Sequence, residues 1–211
     1  MADLYNSYAE LASGQIEGID YQRSWRLSEF STLLHLAIHG GGIEPGTTEL
    51  AAAAAGDMHD FYTLDAFKPA GTNSDLHITS TRYDEPQALA MVQAATHVIS
   101  WHGAAGTAPA THLGGLDFNL RDQIGQSLQE AGFTVQLASD EINGNDPTNI
   151  CNRCSRGKGV QLELTNAQRT LFFANGDLTR ANRKSTTAAF TAYVAAVNAG
   201  ITKCLVTVGQ G

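Results

Sequence analysis

LLHLAIHGGGIEPGTTEL, residues 33–50, decides the fold. Leu33–Ile38 is an apolar run interrupted only by His35, the pattern of a strand buried in a sheet. Gly40, Gly41 and Gly42 end it in a loop, and Thr47–Ala55 follows as a helix opened by two threonines. Similar signals alternate through the rest of the chain. Leu76–Ser80 (LHITS) reads as a second strand, and Asp84-Glu85-Pro86 caps a helix over Glu85–Thr96. HVISWHG is another apolar run that ends at glycine. Asp117–Ala131 is amphipathic through Phe118, Ile124 and Leu128, with Gly132 placed to cap it and a strand over Phe133–Ala138 beyond. Asp146-Pro147 opens a helix ending near Gly157, Gly159–Leu164 is a strand, Thr165 caps Asn166–Ala174, and Lys184–Ala199 is an alanine-rich closing helix. Strands alternating with helices predict an α/β fold, a mixed and mostly parallel sheet with helices on both faces. Ligands of such sheets bind beyond the carboxyl ends of the strands, so those ends select the residues that matter.

Composition sets the outer limits. The chain has 211 residues, 43% hydrophobic and 16% charged, far from the regime of disordered chains, and it shows no repeat or composition break. One catalytic domain over 1–211 is the expectation. No stretch approaches about 18 uninterrupted apolar residues and the N-terminus lacks a basic start followed by an apolar run, so neither a membrane span nor an export signal is expected. Cys151, Cys154 and Cys204 are odd in number, which argues against a disulfide framework. The lone CxxC has no second pair or nearby histidines, so its cysteines read as lying on a helix face rather than on a metal or redox centre. The formal charge of −8 disfavours nucleic acid as a partner. Residues 150–184 differ from the rest: seven Lys and Arg against Glu163 and Asp177 give +5 and leave −13 elsewhere. That segment is either a solvated face or a cleft that attracts an anionic substrate.

Three candidate strands end in metal-binding residue types: His39 with Glu44, His102, and Glu163 in GVQLEL. Catalytic zinc is commonly held by two histidines and a carboxylate, with one position left open. The three glycines allow Glu44 to turn back beside His39. A histidine at a strand end beside glycine also reads as a hydrogen-bonded loop residue. His35 and His97 fall in apolar runs, His59 and His112 in polar loops, and with His77 they are not nominated. Glu163 in an apolar strand needs a reason to be buried: a structural arginine partner, or a role as general base.

HGGGIEPGTTEL, HITSTRYDEPQAL, VISWHG, NICNRCSRGKGVQLELTNAQR and AAFTAYVAAV, in this order, resemble the poly-gamma-glutamate hydrolase family of bacteriophages and bacteria over roughly residues 35–198. The family looks like a compact version of the zinc carboxypeptidase fold. The resemblance implies one zinc ion per chain on His39, Glu44 and His102, with Glu163 as general base toward the attacking water, and hydrolysis of gamma-linked glutamate chains. It departs from wider zinc carboxypeptidases in that His39 and Glu44 stand five residues apart instead of three. The substrate-binding candidates are Arg82, Asn149, Arg153 and Arg156. Arg82 is the first choice for stabilising the oxyanion, although phage members often carry histidine at that place, and Arg153 or Arg156 is the second. The implied partner is anionic poly-gamma-glutamate or a gamma-glutamyl peptide, met by a monomer that host lysis would release. Competing readings are a zinc amidase for short gamma-glutamyl or cell-wall peptides and a non-enzymatic protein that binds an anionic polymer.

Overall fold

The computed structural model describes residues 3–208. Its centre is a seven-stranded sheet built from β1 (Tyr21–Arg26), β2 (Leu33–Gly41), β3 (Asp60–Ala66), β4 (His97–Ala104), β5 (Thr111–Gly114), β6 (Val135–Leu137) and β7 (Val160–Thr165). The spatial order is β1-β3-β2-β4-β7-β5-β6. β3, β2, β4 and β7 run parallel in the middle, β1 and β5 pair antiparallel to their neighbours, and β6 is parallel to β5. The sheet is therefore mixed and mostly parallel, as the alternation of signals predicts.

β2 is buried at every position. Leu33 and Ala37 face a core shared with α2 (Thr47–Ala55), α4 (Phe118–Glu130) and α6 (Ala188–Val208), while Leu34, Leu36 and Ile38 face a second core that includes Leu11 of α1 (Tyr8–Gly14) and Ala88, Met91 and Val92 of α3 (Pro86–Ala94). Each fully buried Leu or Ile on either face contributes about 1.5–3 kcal/mol relative to exposure. By length and composition Ala188–Val206 could cross a membrane. Here Phe190, Tyr193, Val197 and Ile201 form one buried stripe of α6 in the first core. Gly200 brings α6 so close to α4 that a Cβ there would lie 2.6 Å from the Ile124 Cα.

Several elements differ from the sequence expectations. Leu76–Ser80 is not a strand: Asn73–Leu76 is a single 3-10 turn and irregular chain follows. The helix expected after Asp146-Pro147 is a turn and a short 3-10 segment, Ile150–Arg153. There Asn149 caps the Cys151 N–H, and the Asn152 side chain accepts from Leu116 and Gly159 and donates to Gly144 and Asp146, which removes the need for helical bonds. Cys151, in the 3-10 segment, and Cys154, at its end, are accordingly buried free thiols and not on an α-helical face. Glu85, not Asp84, caps α3, accepting from Gln87 and Ala88. The closing helix begins at Ala188, and the Thr187 hydroxyl accepts from the Phe190 N–H. Between Thr165 and Ala188 only Asn166–Thr170 (α5) is α-helical, capped by Thr165 as expected.

Candidate metal centre

β2 and β4 pair only as far as Leu36 and Ser100, whereas β4 and β7 stay paired to Ala104 and Thr165. The ends of β2 and β4 therefore part, and a crevice opens between them. On its other side β2 gains one residue against β3 between Ala37 and Gly40. Such an extra residue re-aims the side chains around it, here at His39. Gly41 has a φ of +63°, and a Cβ there would meet the Ala66 backbone at 2.5 Å, so only glycine fits the turn. The Glu44 N–H donates to the His39 carbonyl at 2.9 Å, and the Thr47 hydroxyl donates to the Glu44 carbonyl at 2.9 Å. These bonds return Glu44 to the end of the strand from which His39 projects.

The result is a cluster of three donor groups. His39 Nδ1 lies 3.0 Å from Glu44 Oε1 and 3.1 Å from His102 Nδ1, and His102 Nδ1 lies 3.4 Å from Glu44 Oε2. Both histidines are 2% exposed, so water does not separate these groups. His39 Nε2 donates to the Ile78 carbonyl at 2.9 Å, which leaves a lone pair on Nδ1 of the neutral ring. His102 Nε2 lies 2.8 Å from the Ser100 hydroxyl, and the Gly103 N–H donates to Glu44 Oε2 at 2.9 Å. Each donor is thus held from behind, as metal-binding imidazoles usually are. In front, two imidazole nitrogens and a carboxylate face one another, an arrangement that requires a shared proton or a cation. Tetrahedral zinc with bonds of about 2.0–2.1 Å separates its ligand atoms by about 3.3 Å, close to the spacing present. The donor set therefore fits zinc.

Without a metal, the same groups favour one another's charged forms. Burial opposes ionisation of Glu44, yet His39 and His102 hold its carboxyl well below the usual carboxylate range. Burial likewise opposes protonation of His102, but Glu44 raises its pKa. Glu163 is 7% exposed, beside His102 in the register of β4 and β7. Burial pushes its carboxyl up to about 7, further raised by Glu44 and lowered by His102. Gln161 Nε2 donates to Glu163 Oε1 at 2.8 Å and is itself tied to Asn149, whose Nδ2 donates to Gln161 Oε1 at 2.9 Å. Among the described residues no arginine pairs with Glu163.

These groups line one cleft of about 710 Å³ with Asn149, Gln161 and His77. Residues 5–196 match the family described as Poly-gamma-glutamate hydrolase. The chain belongs to this family. It is 33% identical over 204 residues to UPF0714 protein YmaC of Bacillus subtilis (strain 168), spanning 95% of this chain and 85% of that protein. Its structure is similar to that of a bacteriophage poly-gamma-glutamate hydrolase, with a TM-score of 0.93, 35% identity and 100% of both chains covered. It is also similar to YndL in an apo form described as zinc-free, with a TM-score of 0.88, 32% identity, and 95% and 98% of the two chains covered.

In this member of the poly-gamma-glutamate hydrolase family, the structure brings together His39, Glu44, His102, Glu163 and Asn149 of the residues nominated from sequence. It does not bring Arg82, Arg153 or Arg156 to the cleft wall. Arg82 binds Asp3 and Asn6, Arg153 donates to the Tyr83 carbonyl, and Arg156 pairs with Asp117 at the cap of α4. No Lys or Arg among the described residues lines the cleft, whose outer loop carries the exposed Asp140, Glu141 and Asp146. Of the two readings of the basic segment, the cleft lining does not favour the basic cleft: Arg153, Arg156, Arg169 and Arg183 meet local partners, and Arg180 and Lys184 are exposed away from this cleft.

Three residues at this site were not nominated: Gln161, which holds Glu163, His77 and Arg169. His77, set aside in the sequence reading, lines the cleft with its ring centroid 4.0 Å from that of His39 and its Nδ1 2.6 Å from Asp3. His39, Glu44 and His77 also present ligand atoms within 4.8 Å of one another. The tighter His39, Glu44 and His102 spacing, and the backing of each of its donors, favours that set. Arg169 lies behind Gly103, where a Cβ would meet its guanidinium at 2.6 Å, and donates to the carbonyls of Pro45, Leu164 and Ala104. Burial lowers its pKa, while Glu44 and Glu163 favour its charge. Its place in a basic segment gave no sign of this; only the fold puts it behind Gly103, beside Glu44 and Glu163. His112 lies in β5, not in a loop.

Proposed function

We propose that this chain hydrolyses the gamma-glutamyl amide bonds of poly-gamma-glutamate with one zinc ion on His39, Glu44 and His102, in a zinc carboxypeptidase-like manner. The observation that carries the proposal is the buried convergence of His39 Nδ1, His102 Nδ1 and the Glu44 carboxylate at 3.0–3.4 Å, with Glu163 beside them. Bound there, zinc supplies Lewis acidity toward water and the scissile carbonyl. Glu163 takes the proton of the attacking water and returns it to the leaving nitrogen. Its burial, which raises the carboxyl's pKa in the metal-free site, makes it a better proton acceptor than an exposed carboxylate. Gln161 fixes Oε1, which leaves Oε2 to carry the proton. Asn149 holds Gln161 in that position and reaches the cleft wall, so its part is to orient the base.

The test combines elemental analysis with amine release and product sizing on poly-gamma-glutamate. About one zinc per chain, new amines and shortened polymer are expected; intact polymer with zinc present overturns the substrate assignment. The acidic loop of Asp140, Glu141 and Asp146 favours one second reading, an amidase for short gamma-glutamyl or cell-wall peptides, whose activity would be confined to short peptides in the same assay.

A further inference from the structure

A second cavity, of about 540 Å³, lies across the turn that carries Glu44. Gly42 and Pro45 line it, whereas Glu44 between them lines the metal cleft. Its wall continues through Phe67, Lys68, Arg180 and Arg183. Two of these cations already have partners: Lys68 pairs with Asp75 at 3.1 Å and Arg183 with Glu49 at 2.7 Å. Asp177, the acid in the wall, accepts from the N–H and hydroxyl of Thr179. Arg180 is different. It is exposed, has no ion pair among the described residues, and rests on the Phe67 ring with its Cζ 4.0 Å from the centroid.

A guanidinium laid on an aromatic face keeps the donors at its edge free and its plane fixed, which suits two-point binding of a carboxylate. Pro45, Phe67 and Ala70 beside it offer apolar contact. A gamma-linked glutamate unit presents these same two features, a free α-carboxylate and two methylenes. The metal cleft, by contrast, is lined by carboxylates and imidazoles with no Lys or Arg among the described residues. We infer that the Arg180 pocket is a subsite for an α-carboxylate of the polymer away from the cut bond, so that the chain crosses the Gly40–Pro45 turn. The inference rests on the proposed function for the identity of the polymer.

The test compares wild type, Arg180→Ala and Arg180→Lys, with folding checked by thermal melting. One arm measures kcat/KM on long poly-gamma-glutamate and on a short gamma-glutamyl oligomer. The other measures the Kd of long polymer for Glu163→Gln with and without Arg180→Ala. The long-to-short ratio of kcat/KM is expected to fall about tenfold in Arg180→Ala, mainly through KM, with partial recovery in Arg180→Lys and a similar loss in Kd. A ratio within twofold of wild type, or an equal loss on both substrates, overturns the subsite. If wild type cuts neither substrate, the proposed function fails, and the Kd arm still decides the subsite: polymer binding that ignores Arg180 removes it too.

Discussion

The two sides of the Gly40–Pro45 turn are built on opposite principles. Toward the metal cleft, Glu44 meets two histidines that are 2% exposed, and every donor is fixed from behind by Ile78, Ser100 or Gly103. Toward the second cavity, Arg180 is exposed and held by one aromatic ring. The first side sets charged and lone-pair atoms against one another out of water, where an uncompensated group costs several kcal/mol. The second leaves its charge solvated, where a contact is worth far less and is screened by salt. On the proposed reading, chemistry belongs to the side that is fixed in advance, and guidance of the polymer to the side that is not.

The comparison breaks most visibly at the metal ligands. His39→Ala or His102→Ala is expected to drop bound zinc from about one equivalent to below about 0.2 and to abolish turnover, because three protein ligands leave none to spare. Elemental analysis after reconstitution decides it, and full retention of zinc in His102→Ala together with loss in His77→Ala would transfer the site to His77. Next in size is Glu163→Gln. Glutamine keeps the shape and the bond to Gln161 but cannot take a proton, so kcat should fall about a hundred- to ten-thousand-fold with zinc retained and KM little changed. Wild-type turnover in that variant would make Glu163 structural.

The zinc-free protein offers a third test. Glu163 and His102 both hold their protons more tightly in the folded chain than in the unfolded one. These two groups make stability fall as pH rises, while His35, His59, His77 and His97, whose pKa values burial lowers, act in the opposite sense. For Glu163 that contribution is complete below about 4.5 and lost as pH passes about 7. In thermal melts from pH 5 to 8, stripped wild type should therefore lose stability relative to stripped Glu163→Gln, which lacks this titration. A difference between the two that does not change with pH would mean that the fold does not hold the Glu163 proton. The smallest expected effect is that of salt. With no Lys or Arg on the cleft wall, raising ionic strength should lower kcat/KM on long polymer only several-fold, through Arg180, and hardly affect a short substrate. An equal response of both would place the guiding charge inside the cleft.

The legibility of the sequence follows the same division. Leu33–Ile38, HVISWHG and GVQLEL were readable because central parallel strands are buried on both faces and leave unbroken apolar runs. Their polar ends then pointed to His39, Glu44, His102 and Glu163. YQRSWR and DFYTLDA were passed over: the first is an edge strand with a mostly polar, exposed face, and the second has acids at both ends of its apolar centre. LHITS has the alternation of a strand, but Ile78 takes part by packing into the core and by giving its carbonyl to His39, neither of which needs a sheet. The basic segment misled most. Charge counted along a chain does not tell on which face each side chain ends, and Arg156, Arg169 and Arg183 are turned to Asp117, to backbone carbonyls and to Glu49.

Asp3 accepts from the Thr79 N–H at 2.7 Å and from Arg82, and its carboxylate meets His77 Nδ1; these bonds, against the cost of burial, depress its pKa to about 2. One residue away, Ile78 supplies the carbonyl that orients His39. In practical terms Asp3 is a fastening of the candidate metal site. A substitution at Asp3 reaches, through Thr79 and Ile78, the imidazole that has to stay still.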